Sequence, residues 1–218
     1  MKVSKSVKPE HLPLVAEVKF QMFINGIYYS DFLCTPDSIT ELVTGNLYVN
    51  SNITAIEDIE KICINGYKID VIVADTEGRT ERAKTSGEFS PPGLEKLIEF
   101  AKLMFDRAAI YKEYGGIHCS ALSDGINLIA FNEDIGRHNA FDKVVGTALM
   151  KDFELDKLIY ITSGRVNLEV MNKAVACGIP LIVSRSIMSS AAFDQAEKNG
   201  TMVIGRILTA EPFVYEGK

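Results

Sequence analysis

The chain has four cysteines, Cys34, Cys63, Cys119 and Cys177, and no two of them stand close enough to form a Cys-x-x-Cys pair. That spacing excludes a structural zinc site built on paired thiolates. In a chain of 218 residues with scattered cysteines, each thiol is expected to be a small buried hydrophobe rather than half of a disulfide. Long apolar runs are missing too. No stretch approaches the roughly 20 residues that a membrane span requires, and the opening "MKVSKSVKPEHLPLVAEVKF" is too interrupted for a signal segment. Basic charge is scarce: 23 Lys+Arg against 29 Asp+Glu leave a formal net charge of −6. Nucleic acid or an anionic membrane would need a basic field over much of the surface, so neither is an expected partner. With 47% hydrophobic residues, the chain reads as a cytoplasmic globular protein with one sizeable core or two small domains.

What is present falls into two parts. Residues 1–84 read as a β-rich α+β domain. "AEVKFQMFINGIYYSDFLC" gives two strand-like runs around Asn25-Gly26, the dipeptide best suited to the positive φ angles of a type I′ turn. Thr35-Pro36-Asp37 signals a helix start, and Ile39, Leu42, Val43 and Leu47 then recur on one face. "EKICING" and "YKIDVIVAD" are two more strand candidates, joined through Asn65-Gly66. Residues 85–92, the end of a polar, proline-terminated segment, are expected to be a linker. Residues 93–218 alternate. "GLEKLIEFAKLMFDRAAIYKEY" reads as one long helix, and the runs "GINLIAF", "LIYIT", "PLIVS" and "TMVIG" are separated by segments of helical periodicity. Continuous apolar strands alternating with helices predict an α/β layered sandwich with both sheet faces covered.

Four of the seven arginines, Arg137, Arg165, Arg185 and Arg206, stand just beyond successive strands of this part. Strand ends of such a sheet converge on one crevice where helices begin, so forked guanidiniums and free backbone N–H groups would meet there. That combination suits phosphate or pyrophosphate. In "EDIGRHNAFDKVVGTALM", Phe141, Val144, Val145, Ala148 and Leu149 form the core face of a helix. His138 and Asp142, at i, i+4, fall on one flank, where the carboxylate is expected to orient the imidazole; Asn139 and Lys143 share the opposite side. "YGGIHCSALSDG" adds His118, one of three histidines, beside Cys119.

These blocks carry a resemblance. "GGIHCSAL", "EDIGRHNAFDKVVG", "SGRVNLEVMNKAVACGIPLIVSRS", the closing "GTMVIGRI…PFVY" and the earlier "CTPDSITELVTGNLYVNSNITAIEDI" resemble the FdhD/NarQ family, the formate dehydrogenase accessory proteins. The resemblance implies a cytidine-deaminase-like α/β/α core with a smaller β-containing domain, usually in a homodimer. It implies transfer of persulfide sulfur from a cysteine desulfurase to the bis-(molybdopterin guanine dinucleotide) cofactor, with molybdenum or tungsten, for formate dehydrogenase. GDP-like fragments of that cofactor are expected ligands, and the catalytic subunit of formate dehydrogenase the expected client. The cofactor-binding set so implied is His118, Asp134, Arg137, His138, Asn139, Asp142, Lys143, Ser163, Ser184, Arg165 and Arg185.

The family pattern is broken in one place. Where its persulfide-carrying Cys-x-x-Cys belongs, this chain reads "TSGEFSPP", without a thiol. Serine forms no persulfide. Two readings stand side by side: a sulfurtransferase whose carrier has moved to Cys119, where a neighbouring imidazolium would favour the thiolate, and a protein that only binds and delivers the cofactor. A zinc deaminase needs His-x-Glu and Cys-x-x-Cys; His118-Cys119-Ser120 lacks the glutamate.

Overall fold

Asn25 and Gly26 both adopt positive φ, at 50° and 82°, as a type I′ hairpin turn requires. They join β1 (Val18–Ile24) to β2 (Ile27–Cys34). The structure, a computed structural model of the chain, describes residues 14–74 and 89–216. Asn25 also ties its turn to β4 (Lys68–Val73): its amide nitrogen donates to the Val73 carbonyl at 3.1 Å and its oxygen accepts from the Val73 N–H at 3.0 Å. With β3 (Ile59–Asn65) these strands form a sheet of order β2-β1-β4-β3, in which β1 and β4 run parallel. Phe20, Met22, Ile69 and Val71 pack on α1 (Ile39–Val49) through Leu42, Val43 and Leu47, the helix face expected from the sequence.

The start of α1 differs from expectation. The helix begins at Ile39, and Ser38 precedes it with φ 49° and no side-chain cap, while Thr35 is engaged in a contact with the second half of the chain.

The second sheet has the order β10-β9-β8-β7-β5-β6. Its strands are β5 (His118–Ser123), β6 (Leu128–Asp134), β7 (Ile159–Thr162), β8 (Leu181–Ser184), β9 (Met202–Gly205) and β10 (Phe213–Tyr215). The central trio β7, β8 and β9 is parallel, and β5 is antiparallel to both its neighbours. One face is covered by α4 (Arg137–Leu149), α5 (Leu168–Ala176) and α6 (Ser190–Asn199), whose Phe141, Val144, Met171 and Ala192 meet Tyr160, Ile182 and Val203. The other face is covered by α2 (Leu94–Arg107), through Leu97, Phe100, Ala101 and Met104 against Ile161, Val183 and Ile204. The layered α/β arrangement is therefore as expected, with apolar strands buried on both sides.

The long helix expected over 93–114 is broken. Ala108 leaves helical geometry with ψ 83°, and α3 (Ala109–Tyr114) starts afresh. The cause lies on β6: Glu133, nearly buried, accepts from the N–H groups of Ile110 at 3.1 Å and Tyr111 at 2.7 Å. A carboxylate at a helix N-terminus satisfies otherwise orphaned donors and meets the positive end of the helix dipole.

Among the described residues, the first sheet uses only 18–73 and the second only 118–215. Residues 85–88 of the expected linker lie outside the described residues; Phe89, which follows, packs into the core beside α2. The two parts meet along α1 and α4 at backbone distance. A Cβ on Gly45 would fall 1.9 Å from the Asp142 carbonyl oxygen, and one on Gly146 would fall 1.9 Å from that of Glu41. Only glycine permits that approach.

Candidate functional site

β7, β8 and β9 end side by side at Thr162, Ser184 and Gly205, and β5 begins beside them because Ser120 pairs with Thr162. β6 ends there too, with Asp134 opposite His118. The strand-end arginines thus converge on one end of the sheet, where α4, α5 and α6 begin.

The loop after β7 is held by short polar contacts. The Gly164 N–H donates to Thr162 Oγ1 at 3.1 Å, and the buried Ser184 hydroxyl donates to the Gly164 carbonyl at 2.7 Å. Ser163 and Cys119 exchange two bonds: Ser163 N–H to the Cys119 carbonyl, and Cys119 N–H to Ser163 Oγ, each at 3.0 Å. Ser163 and Ser184 therefore shape the loop that carries Arg165. Above it, a Cβ on Gly164 would lie 3.3 Å from His118 Nδ1 and 3.5 Å from Arg137 Cβ. The missing side chain lets His118 and Arg137 converge over the loop.

Two polar atoms of this region are buried without a hydrogen-bond partner, Nε of Arg137 and Nδ1 of His138. Both belong to the first turn of α4, whose cap, Gly136, offers no side chain. Buried polar atoms are normally satisfied, so each is a place for a ligand oxygen or N–H. Burial lowers the pKa of His118 first, and Arg137 and Arg165 lower it further against an opposing Asp134. His138 is lowered as well, by burial and then by Arg137, Lys173 and His118, with Glu169 opposing. Both imidazoles are therefore neutral near pH 7, beside cationic guanidiniums.

The rest of the sequence-derived set has a different occupation. Asp134 is fully buried and accepts from Thr35 N–H at 3.1 Å, Thr35 Oγ1 at 2.9 Å, Gly136 N–H at 2.8 Å and Asn139 Nδ2 at 3.0 Å. Lys143, equally buried, lies 2.8 Å from Asp134 and 2.9 Å from Asp37. Asn139 also donates to the Leu33 carbonyl at 2.7 Å. These residues fasten the first part of the chain to α4. The expected His138–Asp142 pairing is not formed: His138 Nε2 lies 3.1 Å from Glu169, while Asp142 takes both Lys173 at 2.7 Å and Asn46 at 2.9 Å. Spacing on one helix proposed that pair, but α1 and α5 supply nearer partners. Burial raises the Asp142 pKa, against the pull of Lys173 and Asn46.

Cys119 lies on the face of β5 opposite to His118, fully buried in the core beside α2, and burial pushes its thiol up to about 11. The imidazole beside it in sequence does not activate it. Cys34 and Cys177 are buried as expected, and Cys34 is pushed up to about 12 by burial. Cys63 is the exception: it stands exposed on the edge strand β3, since a strand there has one face without a cover.

Arg185 is held by aromatic residues of α2 and α3. Its guanidinium donates to the Tyr111 hydroxyl at 2.7 Å and lies 5.5 Å over the Phe105 ring. With Arg206 it borders an open groove of about 520 Å³ completed by Ser186, Ile187, Thr209, Ala210 and Glu211. The partners Thr35, Asp37, Glu169 and Lys173 were not legible from sequence, because all their contacts here are long-range. Among the described residues, no group of three or more His, Cys, Asp or Glu side chains is placed to hold a metal ion, and no helix is long and apolar enough to cross a membrane.

Comparison with known proteins places this geometry. The fold matches that of a chain described as a formate dehydrogenase accessory protein from Desulfotalea psychrophila, with TM-score 0.80 over 93% of this chain and 87% of that one, at 22% identity. Protein FdhD of Methanocaldococcus jannaschii is 30% identical over 193 residues, 88% of this chain and 83% of its own length. Sulfur carrier protein FdhD of Bacillus subtilis is 27% identical over 93% of this chain and 87% of its own, and that of Staphylococcus aureus is 26% identical over 88% and 83%. The FdhD/NarQ family model matches residues 15–93 and 85–218, and the chain belongs to that family.

Proposed function

We propose that this protein is a formate dehydrogenase accessory protein that binds the guanine dinucleotide form of the molybdopterin cofactor at the arginine-lined sheet end and delivers it to the dehydrogenase. The observation that carries this reading is the first turn of α4, where Arg137 Nε and His138 Nδ1 are buried without partners beside His118 and the loop bearing Arg165. A large ligand with two pyrophosphates fits a site with several separated cations. Forked N–H donors and a helix N-terminus both favour phosphate oxygens. The partner on this reading is the catalytic subunit of formate dehydrogenase, and a homodimer belongs to the proposal as well.

Sulfur transfer through this chain's own Cys119 is disfavoured by its burial. A carrier thiolate must be attacked, loaded and attacked again, which requires access and a thiol pKa near ambient pH. We therefore favour binding and delivery, with a cysteine desulfurase entering only through a cysteine supplied in trans.

Calorimetry with GDP tests the site. Binding that weakens as salt rises, and weakens in an Arg137→Ala variant, is the expected result. No heat at millimolar GDP, or equal affinity in that variant, would remove the assignment. Native mass spectrometry of protein from its own host measures cofactor, dimer mass and added sulfur together.

A further inference from the structure

We infer that Glu169 of α5 is the positioning residue of His138: it fixes the ring with its hydrogen on Nε2 and leaves the buried Nδ1 as a bare acceptor, so that an anionic ligand binds there only together with a proton. The inference rests on the reading just proposed and assigns a residue that reading does not use. Glu169 Oε2 lies 3.1 Å from Nε2 of His138, the carboxylate side chain being 62% exposed and the imidazole 25%. Lys173, one turn further along α5, is held by Asp142 at 2.7 Å, which leaves Glu169 to the ring. Asn167 caps α5 through the Val170 N–H at 3.0 Å. Glu169 stands in the first turn behind that cap, where the helix dipole favours a negative charge.

A neutral imidazole has one N–H and one lone pair. A carboxylate only accepts, so the N–H belongs on Nε2 and the lone pair falls on Nδ1, which is buried without a hydrogen-bond partner. Arg137 Nε, orphaned in the same helical turn, is a donor. The two atoms are therefore opposite in kind: Arg137 Nε receives a phosphate oxygen directly, whereas the lone pair of Nδ1 repels one. A proton taken from solvent onto Nδ1 removes the conflict, and no other covalent bond forms or breaks. The imidazolium then donates from Nε2 to Glu169 and from Nδ1 to the ligand oxygen, both charge-assisted.

His138 is suited to this role and His118 is not. Burial holds the free His138 ring neutral, aided by Arg137, Lys173 and His118, and Glu169 opposes them; the negative charge of a ligand tips that balance. Among the described residues, His118 has no carboxylate at ion-pair distance. Asp134, its cross-strand neighbour, is bound to Lys143 at 2.8 Å.

The test uses the full chain carrying nitrogen-labelled histidine, with GDP as the probe. Nitrogen NMR of the free protein at mildly alkaline pH, with His138 assigned from the His138→Asn spectrum, should show Nε2 protonated and Nδ1 bare. At GDP saturation near neutral pH, both nitrogens should carry hydrogen. Calorimetry of GDP binding in Pipes and in Tris, whose ionisation heats differ, counts the protons. Net uptake is expected, and Glu169→Gln, an exposed and nearly isosteric change, should cut it about twofold or more. If the natural protein binds GDP without proton uptake, or if Nδ1 carries the hydrogen in the free protein, the inference is overturned while the anion site stands. If Glu169→Gln tightens GDP binding and leaves the uptake unchanged, Glu169 acts only as a distant negative charge, which overturns the inference equally. If GDP does not bind, the proposed function falls and this inference with it.

Discussion

Nζ of Lys143 lies 2.8 Å from Oδ2 of Asp134, and neither side chain has any exposed surface. The pair is enclosed by Thr35 and Asp37 from the first part of the chain, so a charge buried at the foot of α4 is completed by residues a hundred positions earlier. Truncating one partner leaves the other charge buried and unpaired. Lys143→Met should therefore destabilise the fold by about 3–5 kcal/mol, measured by urea denaturation. Thr35→Val, which removes a hydroxyl but no charge, should cost about 1–3 kcal/mol. Equal stability of Lys143→Met and the natural protein would show that the pair contributes nothing.

Gly146→Ala tests the contact of α1 with α4. Its new methyl group would fall 1.9 Å from a backbone oxygen of Glu41, which cannot swing aside as a long side chain can. The helices must separate, and overpacking of this kind costs about 1–3 kcal/mol. Thermal unfolding should show the loss. Gly26→Ala is a poor control because of its positive φ, whereas Gly93→Ala, with open space at its Cβ, should leave the melting temperature almost unchanged.

Thiol reactivity should follow burial. Native protein treated with iodoacetamide should be alkylated first at the exposed Cys63, with Cys34 and Cys119 protected by burial and by pKa values raised to about 12 and about 11. Peptide mapping by mass spectrometry ranks the rates. The same mapping after incubation with a cysteine desulfurase and labelled cysteine should find no persulfide on Cys119; stable label there would restore the sulfurtransferase reading.

The two histidines at the site make acidification unfavourable for stability. Folding lowers both pKa values from the usual 6.5, so between that value and the lowered ones the unfolded chain binds more protons. Stability is then fully present above about pH 6.5 and is lost as pH falls through the folded-state values. Anion affinity should move the other way, since protonated imidazoles beside Arg137 attract phosphate. Denaturation midpoints and GDP titrations between about pH 7.5 and pH 5.5 check both signs. A flat stability profile, or weaker GDP binding at the acidic end, would contradict this account.

Local chemistry was written plainly in the chain. Asn25-Gly26 dictated a hairpin because few other dipeptides accept two positive φ angles, and the four apolar runs dictated strands buried on both faces. The position of arginines just past those strands was equally legible, since parallel strands joined by helices must bring their ends to one side. The quoted motif blocks, "EDIGRHNAFDKVVG" above all, carried the family.

Tertiary structure decided which of the polar residues near those ends are free. Asp134, Asn139, Asp142 and Lys143 stand in the same motif as Arg137 and His138, and no periodicity separates the two sets. Their roles diverge because α1 approaches α4 at Gly45 and Gly146, which buries one flank of the helix and draws Thr35, Asp37 and Asn46 onto its charges. Glu133 broke a helix that looked continuous, by capping α3 from a strand two dozen residues away. Cys119 and His118 are neighbours in sequence and opposite in direction, because consecutive residues of a strand face opposite sides of the sheet. The chain names its elements and its family through short-range pattern; which charges remain available to a ligand depends on contacts across about a hundred residues, where sequence spacing carries no geometric information.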